Sequence, residues 1–96
     1  MRPSVALQIY REQIKAIVLA HHASNVRVFG SVIRGDDTDD SDLDLLVEPT
    51  PETSLMDIGA IRHELKSLLG VNVDVLTPNG LPDSFREKVL EESVPV

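Results

Sequence analysis

The chain has 96 residues, of which 42% are hydrophobic and 26% charged, so we expect one folded domain over residues 1–96 and exclude a second domain and global disorder. The absence of cysteine excludes disulfides and thiolate chemistry, and no signal-peptide pattern or membrane-length apolar run is present, so we expect a cytoplasmic protein. The net charge of -7, from 16 acidic and 9 basic residues, does not suit a direct nucleic-acid partner.

The N-terminal segment has the pattern of an amphipathic helix. Apolar side chains recur at three- and four-residue spacing from Leu7 to Val18, and Pro3 offers a start signal. We therefore predict one helix over about residues 4–22. His21 falls on its apolar face, where we expect it to pack in the core.

Two short strands follow, separated by an aspartate-rich loop. The run VRVFG at 26–30 is β-branched and aromatic, which predicts a strand and then a tight turn into a short helix at Ser31. The run DLDLLVE at 42–48 alternates between polar and apolar residues. It predicts a second strand with Asp42 and Asp44 on the same face.

The next two elements are a helix and a third strand. A capping pattern at Ser54 begins a helix whose regular apolar spacing continues to Gly70, the expected C-terminal residue. The alternating run VNVDVL at 71–76 predicts a strand with Asp74 as its one central carboxylate.

The C-terminal segment predicts a last helix from Pro82 to about Glu92, with Phe85 and Val89 on its buried side. The elements then run helix, strand, short helix, strand, helix, strand and helix along the chain. Short strands alternating with helices predict an α/β (α+β) fold class, in which helices pack on a small β-sheet.

Asp42, Asp44 and Asp74 are candidate metal ligands. Two carboxylates separated by one residue on a strand point to the same side and can share a hard cation such as Mg²⁺ or Mn²⁺. Asp74 joins them if the third strand pairs beside the second. Three carboxylates would suit two ions that activate an attacking oxygen and neutralise a leaving group. The alternative is that these acids lie on a solvated strand edge.

The run from Gly30 to Arg34 has the features of a phosphate-binding turn. A glycine between a strand and a helix lets the backbone approach a ligand, and a helix start offers free N–H groups to phosphate oxygens. The Ser31 hydroxyl and the Arg34 guanidinium could add contacts. Ser31 could instead be only a helix N-cap, and Arg34 could form a structural salt bridge with Asp42 or Asp44.

Four further aspartates, Asp36, Asp37, Asp39 and Asp40, precede the second strand. We expect them to be solvated loop residues. The alternatives are that they attract metal or face a basic partner surface. A calcium-binding EF-hand loop counted from Asp37 is disfavoured, because its sixth position is Asp42 where that loop needs glycine.

Gly30 and Ser31, followed after ten residues by Asp42 and Asp44, match the signature of the DNA polymerase beta-like nucleotidyltransferase superfamily. The segment FGSVIRGDDTDDSDLDLLV resembles its minimal nucleotidyltransferase family in particular. Asp74 falls where that family has its third carboxylate, and EESVPV is similar to the family's C-terminal ending. The resemblance covers nearly the whole chain.

The resemblance implies a mixed-sheet nucleotidyltransferase core that uses ATP and Mg²⁺ to transfer a nucleotidyl group, usually AMP, to an acceptor hydroxyl. The implied nucleotide-binding residues are Gly30, Ser31 and Arg34. The implied catalytic and metal-binding residues are Asp42, Asp44 and Asp74. We assign the general base for the acceptor hydroxyl to Asp74, although the sequence leaves open which acid has that role.

The resemblance also implies a partner protein. Many minimal members are encoded beside a HEPN-domain toxin and act as its antitoxin by binding it and, in some systems, adenylylating it. A HEPN-domain toxin is therefore the expected acceptor, since this chain is too short to hold an acceptor domain. The alternative is a non-catalytic binding module that neutralises a partner toxin by complex formation.

Overall fold

Five α-helices and four β-strands make up the computed structural model, which describes all 96 residues. The helices are α1 (Pro3–Ile9), α2 (Arg11–Ala20), α3 (Ser31–Arg34), α4 (Leu55–Leu69) and α5 (Asp83–Glu92). The strands are β1 (Ala23–Phe29), β2 (Leu43–Pro49), β3 (Val73–Leu76) and β4 (Val94–Pro95). A 3-10 turn covers Pro78–Gly80. No helix combines the length and apolar character that crossing a membrane requires.

The strands form one mixed sheet in the order β3-β2-β1-β4. Strand β1 is antiparallel to both β2 and β4, whereas β2 and β3 are parallel and connected through α4. This confirms the small mixed sheet with helices packed on it. The sequence did not predict β4, because a strand of two residues has no alternation to recognise. It pairs with Arg27 and Val28 at the edge of the sheet.

The two faces of the sheet are covered unequally. Leu45 of β2 is buried in the main core together with side chains of α2 and α4. On the other face, Leu46 packs in a smaller cluster with Leu81 and with Val89 of α5. Because side chains alternate along a strand, Asp44 lies on this less covered face.

The N-terminal helix is interrupted, which corrects the single helix predicted over 4–22. α1 and α2 meet at Tyr10, whose φ of -108° and ψ of 20° depart from helical values. Hydrogen bonds nevertheless continue through the junction, since the Tyr10 N–H donates to Ala6 O and the Ile14 N–H donates to Tyr10 O. The apolar spacing is therefore continuous across the bend, and periodicity alone could not locate it.

Two side chains that the sequence placed in the core lie at its margin. His21 follows the end of α2 and has 25% of its side chain exposed, with Nε2 2.8 Å from Glu64 Oε2. Phe85 of α5 is 45% exposed, although Val89 one turn later is buried as predicted. Helical spacing identified the inward side of each helix, but it did not reveal how far the core extends.

The predicted ends of α4 are confirmed. Ser54 and Asp57 form a capping box, in which the Asp57 N–H donates to Ser54 Oγ at 3.1 Å and the Ser54 N–H donates to Asp57 Oδ2 at 2.8 Å. Gly70 ends the helix with a left-handed φ of 70°. The chain then returns directly into β3, beside β2.

Candidate active site

Gly30 makes the turn from β1 into α3 in a conformation that glycine alone adopts without strain. Its φ is 78° and its ψ is -145°. A Cβ atom at this position would collide with Asp44 Oδ2 and lie 3.2 Å from Asp44 Cγ. The sequence predicted that this glycine lets the backbone approach a ligand. In the structure it first of all makes room for the carboxylate of Asp44.

α3 is a single helical turn that begins at Ser31. The N–H groups of Ile33 and Arg34 both donate to Gly30 O, at 3.1 Å. The N–H groups of Ser31 and Val32 have no acceptor within the helix, as at any helix start. Gly30 is the N-cap residue and no side chain caps this helix, so the interpretation of Ser31 as an N-cap is wrong.

Asp44 and Asp74 are paired residues of the parallel strands β2 and β3. Val73 and Val75, on either side of Asp74, are buried in the main core. Asp74 therefore projects from the same open face as Asp44, which confirms the predicted condition for the third carboxylate. Asp42 lies one residue before β2 and is exposed. All three acids come from the same end of the sheet.

The acidity of Asp44 is strongly perturbed. Burial, followed by the negative charges of Asp74 and Asp42, raises the pKa of Asp44 from 3.8 to about 6. When protonated, Asp44 can also donate a hydrogen bond to Asp74, whereas the positive charge of Arg34 lowers the pKa of Asp44. The negative charges of this cluster therefore repel one another near neutral pH.

The three carboxylates fit a divalent cation by their chemistry. Their donors are anionic oxygens, which Mg²⁺ and Mn²⁺ prefer, and a cation would relieve the repulsion that raises the pKa of Asp44. As the side chains stand, no three His, Cys, Asp or Glu groups converge closely enough to hold a metal ion. Rotation of the exposed side chains of Asp42 and Asp74 would bring their oxygens, with those of Asp44, around a common ion.

Arg34 lies at the end of α3 with 59% of its side chain exposed. Its Nε is 3.5 Å from Asp36 Oδ2, so the salt-bridge partner is Asp36 and not Asp42 or Asp44. An exposed pair of this kind contributes little to stability. The charge of Arg34 nevertheless acts on Asp44, which places a cation beside the candidate site.

Asp37 is buried, which corrects the prediction that all four loop aspartates are solvated. Its carboxylate accepts hydrogen bonds from the Ser4 N–H at 2.9 Å and from Arg2 Nη2 at 3.1 Å. Burial alone would raise the pKa of Asp37, but these hydrogen bonds and the Arg2 charge bring it below its ordinary value. Asp37 thus caps the start of α1, which has no side-chain cap of its own. The other three aspartates are exposed, as predicted.

An open cleft of about 330 Å³ separates the Gly30 turn from α5. Asp44 and Arg34 line it on the same side as Gly30. The side chains that line it from α5 are Phe85, Lys88, Val89 and Glu92. Sequence reasoning did not assign α5 to the site, because helical spacing indicates the inward side of a helix but not what that side faces. The available signal was a lysine and an aromatic residue on the same face as the buried Val89.

Comparison with known proteins places the chain in an established family. The sequence model of the family described as "Nucleotidyltransferase domain" matches residues 9–96. A Methanocaldococcus jannaschii protein provisionally named protein adenylyltransferase is 36% identical over 86 residues, which are 90% of this chain and 92% of that protein. The protein adenylyltransferase MntA of Thermococcus cleftensis is 33% identical over 91 residues, covering 86% of this chain and 92% of that protein.

Two solved structures are also similar. One, provisionally described as a minimal nucleotidyltransferase, has a TM-score of 0.86 at 42% identity and covers 97% of this chain and 95% of that chain. This similarity confirms the nucleotidyltransferase-like core expected from the sequence. The other is a crystal structure of a toxin-antitoxin with AMP-PNP, with a TM-score of 0.73 at 18% identity, covering 86% of this chain and 68% of that chain. At that identity, the similarity is one of fold alone.

Proposed function

This chain belongs to the nucleotidyltransferase domain family, and on that premise we propose that it is a single minimal domain that transfers AMP from ATP to a hydroxyl of a partner protein. Family membership confirms the predicted enzyme class, and such enzymes generally use a nucleoside triphosphate and a divalent metal ion. The observation that carries the proposal is the position of Asp44, beside Gly30 and opposite Asp74. Relatives named protein adenylyltransferase support a protein as the acceptor.

The turn at Gly30 and the start of α3 would bind the triphosphate. The N–H groups of Ser31 and Val32 lack acceptors within the helix, so they can donate to phosphate oxygens. The Ser31 hydroxyl is not used as a helix cap and can add a further donor. Arg34 can exchange its weak ion pair with Asp36 for a phosphate.

The carboxylates would carry out the transfer. Asp42, Asp44 and Asp74 would hold Mg²⁺, two ions in the full site, and the bound cation would neutralise negative charge on the triphosphate. Asp74 is exposed and can accept the proton of the acceptor hydroxyl. The acceptor oxygen then forms a bond to the α-phosphorus as the bond from that phosphorus to the β-phosphate oxygen breaks. Pyrophosphate leaves, and AMP remains on the acceptor.

The proposed acceptor is a HEPN-domain toxin in the cytoplasm, with this chain as its antitoxin. A protein acceptor suits the exposure of Asp42 and Asp74, whose side chains a large molecule can reach. The net charge of -7 suits a basic partner surface. Similarity of fold to one chain of a toxin-antitoxin structure is consistent with this pairing.

The acceptor is identified by incubating the chain with the product of the gene adjacent to its own, together with ATP and Mg²⁺. We expect the mass of the partner to increase by whole adenylyl groups, located on a hydroxyl side chain by fragmentation. Omission of ATP, or addition of a chelator, should leave the partner unmodified. An unmodified partner in the complete reaction would contradict the proposed acceptor.

A binding module that neutralises a toxin without transfer is the second candidate. Leu55 and Met56, adjacent at the start of α4, are 91% and 85% exposed, and exposed apolar residues of this kind mark protein interaction surfaces. Co-expression with the toxin separates the two functions. If the combined Asp42→Asn and Asp44→Asn variant still protects cells, binding is sufficient. If protection is lost while the complex still forms, transfer is necessary.

A further inference from the structure

α5 forms the wall of the cleft opposite Asp44. Its cleft-lining side chains recur at three- and four-residue spacing and share one face of the helix, namely Phe85, Lys88, Val89 and Glu92. Val89 fixes this face to the sheet, because it is buried in the small cluster with Leu46. The packing of Val89 therefore fixes the backbone positions of Phe85 and Lys88, while their side chains stay open to the cleft.

Phe85 is unusual because it is an aromatic side chain with 45% of its surface exposed inside a concave site. Phenylalanine is normally buried, and the chain has only two phenylalanines and one tyrosine. An open, planar, apolar ring offers a face on which another planar ring can stack. Every nucleobase can stack on an aromatic side chain in this way, because every base has a π-face.

Lys88 adds a positive charge one turn further along α5. Its Nζ is 3.9 Å from Glu92 Oε1, and the lysine side chain is 74% exposed. Such a pair contributes little and can be exchanged for a stronger anion. Arg34 lies across the cleft, so two cations flank the space in front of Asp44. A cleft with an aromatic face, two cations and Asp44, the candidate metal ligand, has the chemistry to bind a nucleoside triphosphate.

We propose that α5 completes the nucleotide site, with Phe85 stacking on the nucleobase and Lys88 binding the triphosphate. The inference rests on the proposed function for the identity of the ligand. It assigns both residues to binding and neither to the chemical step. The KM for ATP should therefore depend on them more strongly than kcat does.

Calorimetric titration of the full chain with ATP and with inorganic tripolyphosphate, both with Mg²⁺, separates the two contacts. Phe85→Leu keeps an apolar side chain but removes the flat ring. We expect it to weaken ATP binding by about tenfold and to leave tripolyphosphate binding unchanged. Phe85→Trp keeps a flat ring and should bind ATP as the wild type does. Lys88→Gln should weaken the binding of both ligands.

Two control variants lie outside the cleft. Leu90→Ala changes an exposed apolar residue on α5, and Lys66→Gln removes an exposed lysine on α4. Both should bind like the wild type. Wild-type affinity for ATP in Phe85→Leu, or equal losses for ATP and tripolyphosphate, would overturn the stacking assignment. Binding in Lys88→Gln equal to that in Lys66→Gln would overturn the phosphate assignment. Failure of AMP transfer by a wild type that binds ATP would contradict the proposed function and leave this inference standing.

Discussion

Asp44 of β2 and Asp74 of β3 lie directly opposite each other in the parallel half of the sheet. Backbone pairing from Leu43 to Leu46 fixes both strands, so the two carboxylates stay on the same face. Burial of Asp44, followed by repulsion from Asp74, raises the pKa of Asp44 to about 6. The cluster is thus electrostatically unfavourable by itself at neutral pH, and the proposed cation would relieve this repulsion.

The first prediction concerns stability in the absence of metal. The folded pKa of Asp44 is raised above its unfolded value of 3.8, so the folded state keeps a proton that the unfolded chain has lost. The contribution of Asp44 to the free energy of unfolding therefore falls as pH rises from about 4 to about 6. At pH 8 without Mg²⁺, Asp44→Asn should unfold with a free energy about 1 kcal/mol higher than that of the wild type, with solvent screening included.

Urea denaturation at pH 4 and at pH 8 measures this difference. It should be present at pH 8, small at pH 4, and reduced by Mg²⁺, which binds the wild type but not the variant. A variant that is less stable than the wild type at pH 8 would mean that Asp44 makes a favourable contact in the metal-free protein.

The second prediction concerns the coupling of the two acids. Asp74→Asn removes the negative charge that raises the pKa of Asp44 most, so this pKa should move down toward its ordinary value. Titration of the carboxyl carbons by NMR measures the shift. Glu48→Gln, a change at an exposed acid further along β2, is the control and should leave the pKa of Asp44 unaltered. An unchanged pKa in Asp74→Asn would show that Asp74 does not perturb Asp44.

The third prediction compares two glycines with the same φ of 78°. Gly30→Ala would place a methyl group against the carboxylate of Asp44, whereas a Cβ on Gly35 meets nothing within 4 Å. Both changes introduce backbone strain of about 1 to 3 kcal/mol, but only Gly30→Ala displaces Asp44. We expect Gly30→Ala to abolish Mg²⁺-dependent transfer and Gly35→Ala to retain it. Equal activities, measured at a temperature where both variants are folded, would refute the role given to Gly30.

The fourth prediction concerns Asp37, the buried aspartate that caps α1. Asp37→Ala should lower the free energy of unfolding by about 1 to 2 kcal/mol, because it leaves the Ser4 N–H without a partner. The folded pKa is below its ordinary value of 3.8, so this stabilisation is present above that pH and is lost as pH falls through the folded pKa. Asp39→Ala, at an exposed neighbour, is the control and should change stability little. Thermal melting at pH 7 distinguishes them.

Sequence reasoning predicted the elements whose signals are local. The capping box at Ser54 and the alternation around Asp74 both lie within a few residues, and both predictions are confirmed. The proximity of Asp44 and Asp74 could be predicted only conditionally, because it depends on whether β3 pairs beside β2. The family signature supplied the remaining assignment of site residues, which stay predictions.

The residues that sequence reasoning missed depend on distant contacts. Asp37 is buried and accepts hydrogen bonds from Arg2 and Ser4, which no local pattern connects to it. Phe85 has the spacing of a core residue, but its side chain faces the open cleft. The bend at Tyr10 leaves the apolar spacing intact. In each case the deciding interaction is between segments far apart in the chain.

The most direct test of the account follows the fate of each phosphate. ATP labelled on the α-phosphate and ATP labelled on the γ-phosphate are incubated in parallel with the chain, its partner protein and Mg²⁺. We predict that the α-label joins the partner while the γ-label appears in pyrophosphate. Combining Asp42→Asn with Asp44→Asn should abolish both events, and Glu48→Gln should leave them intact. Transfer of the γ-label to the partner, or full activity in the double variant, would contradict nucleotidyl transfer at these carboxylates.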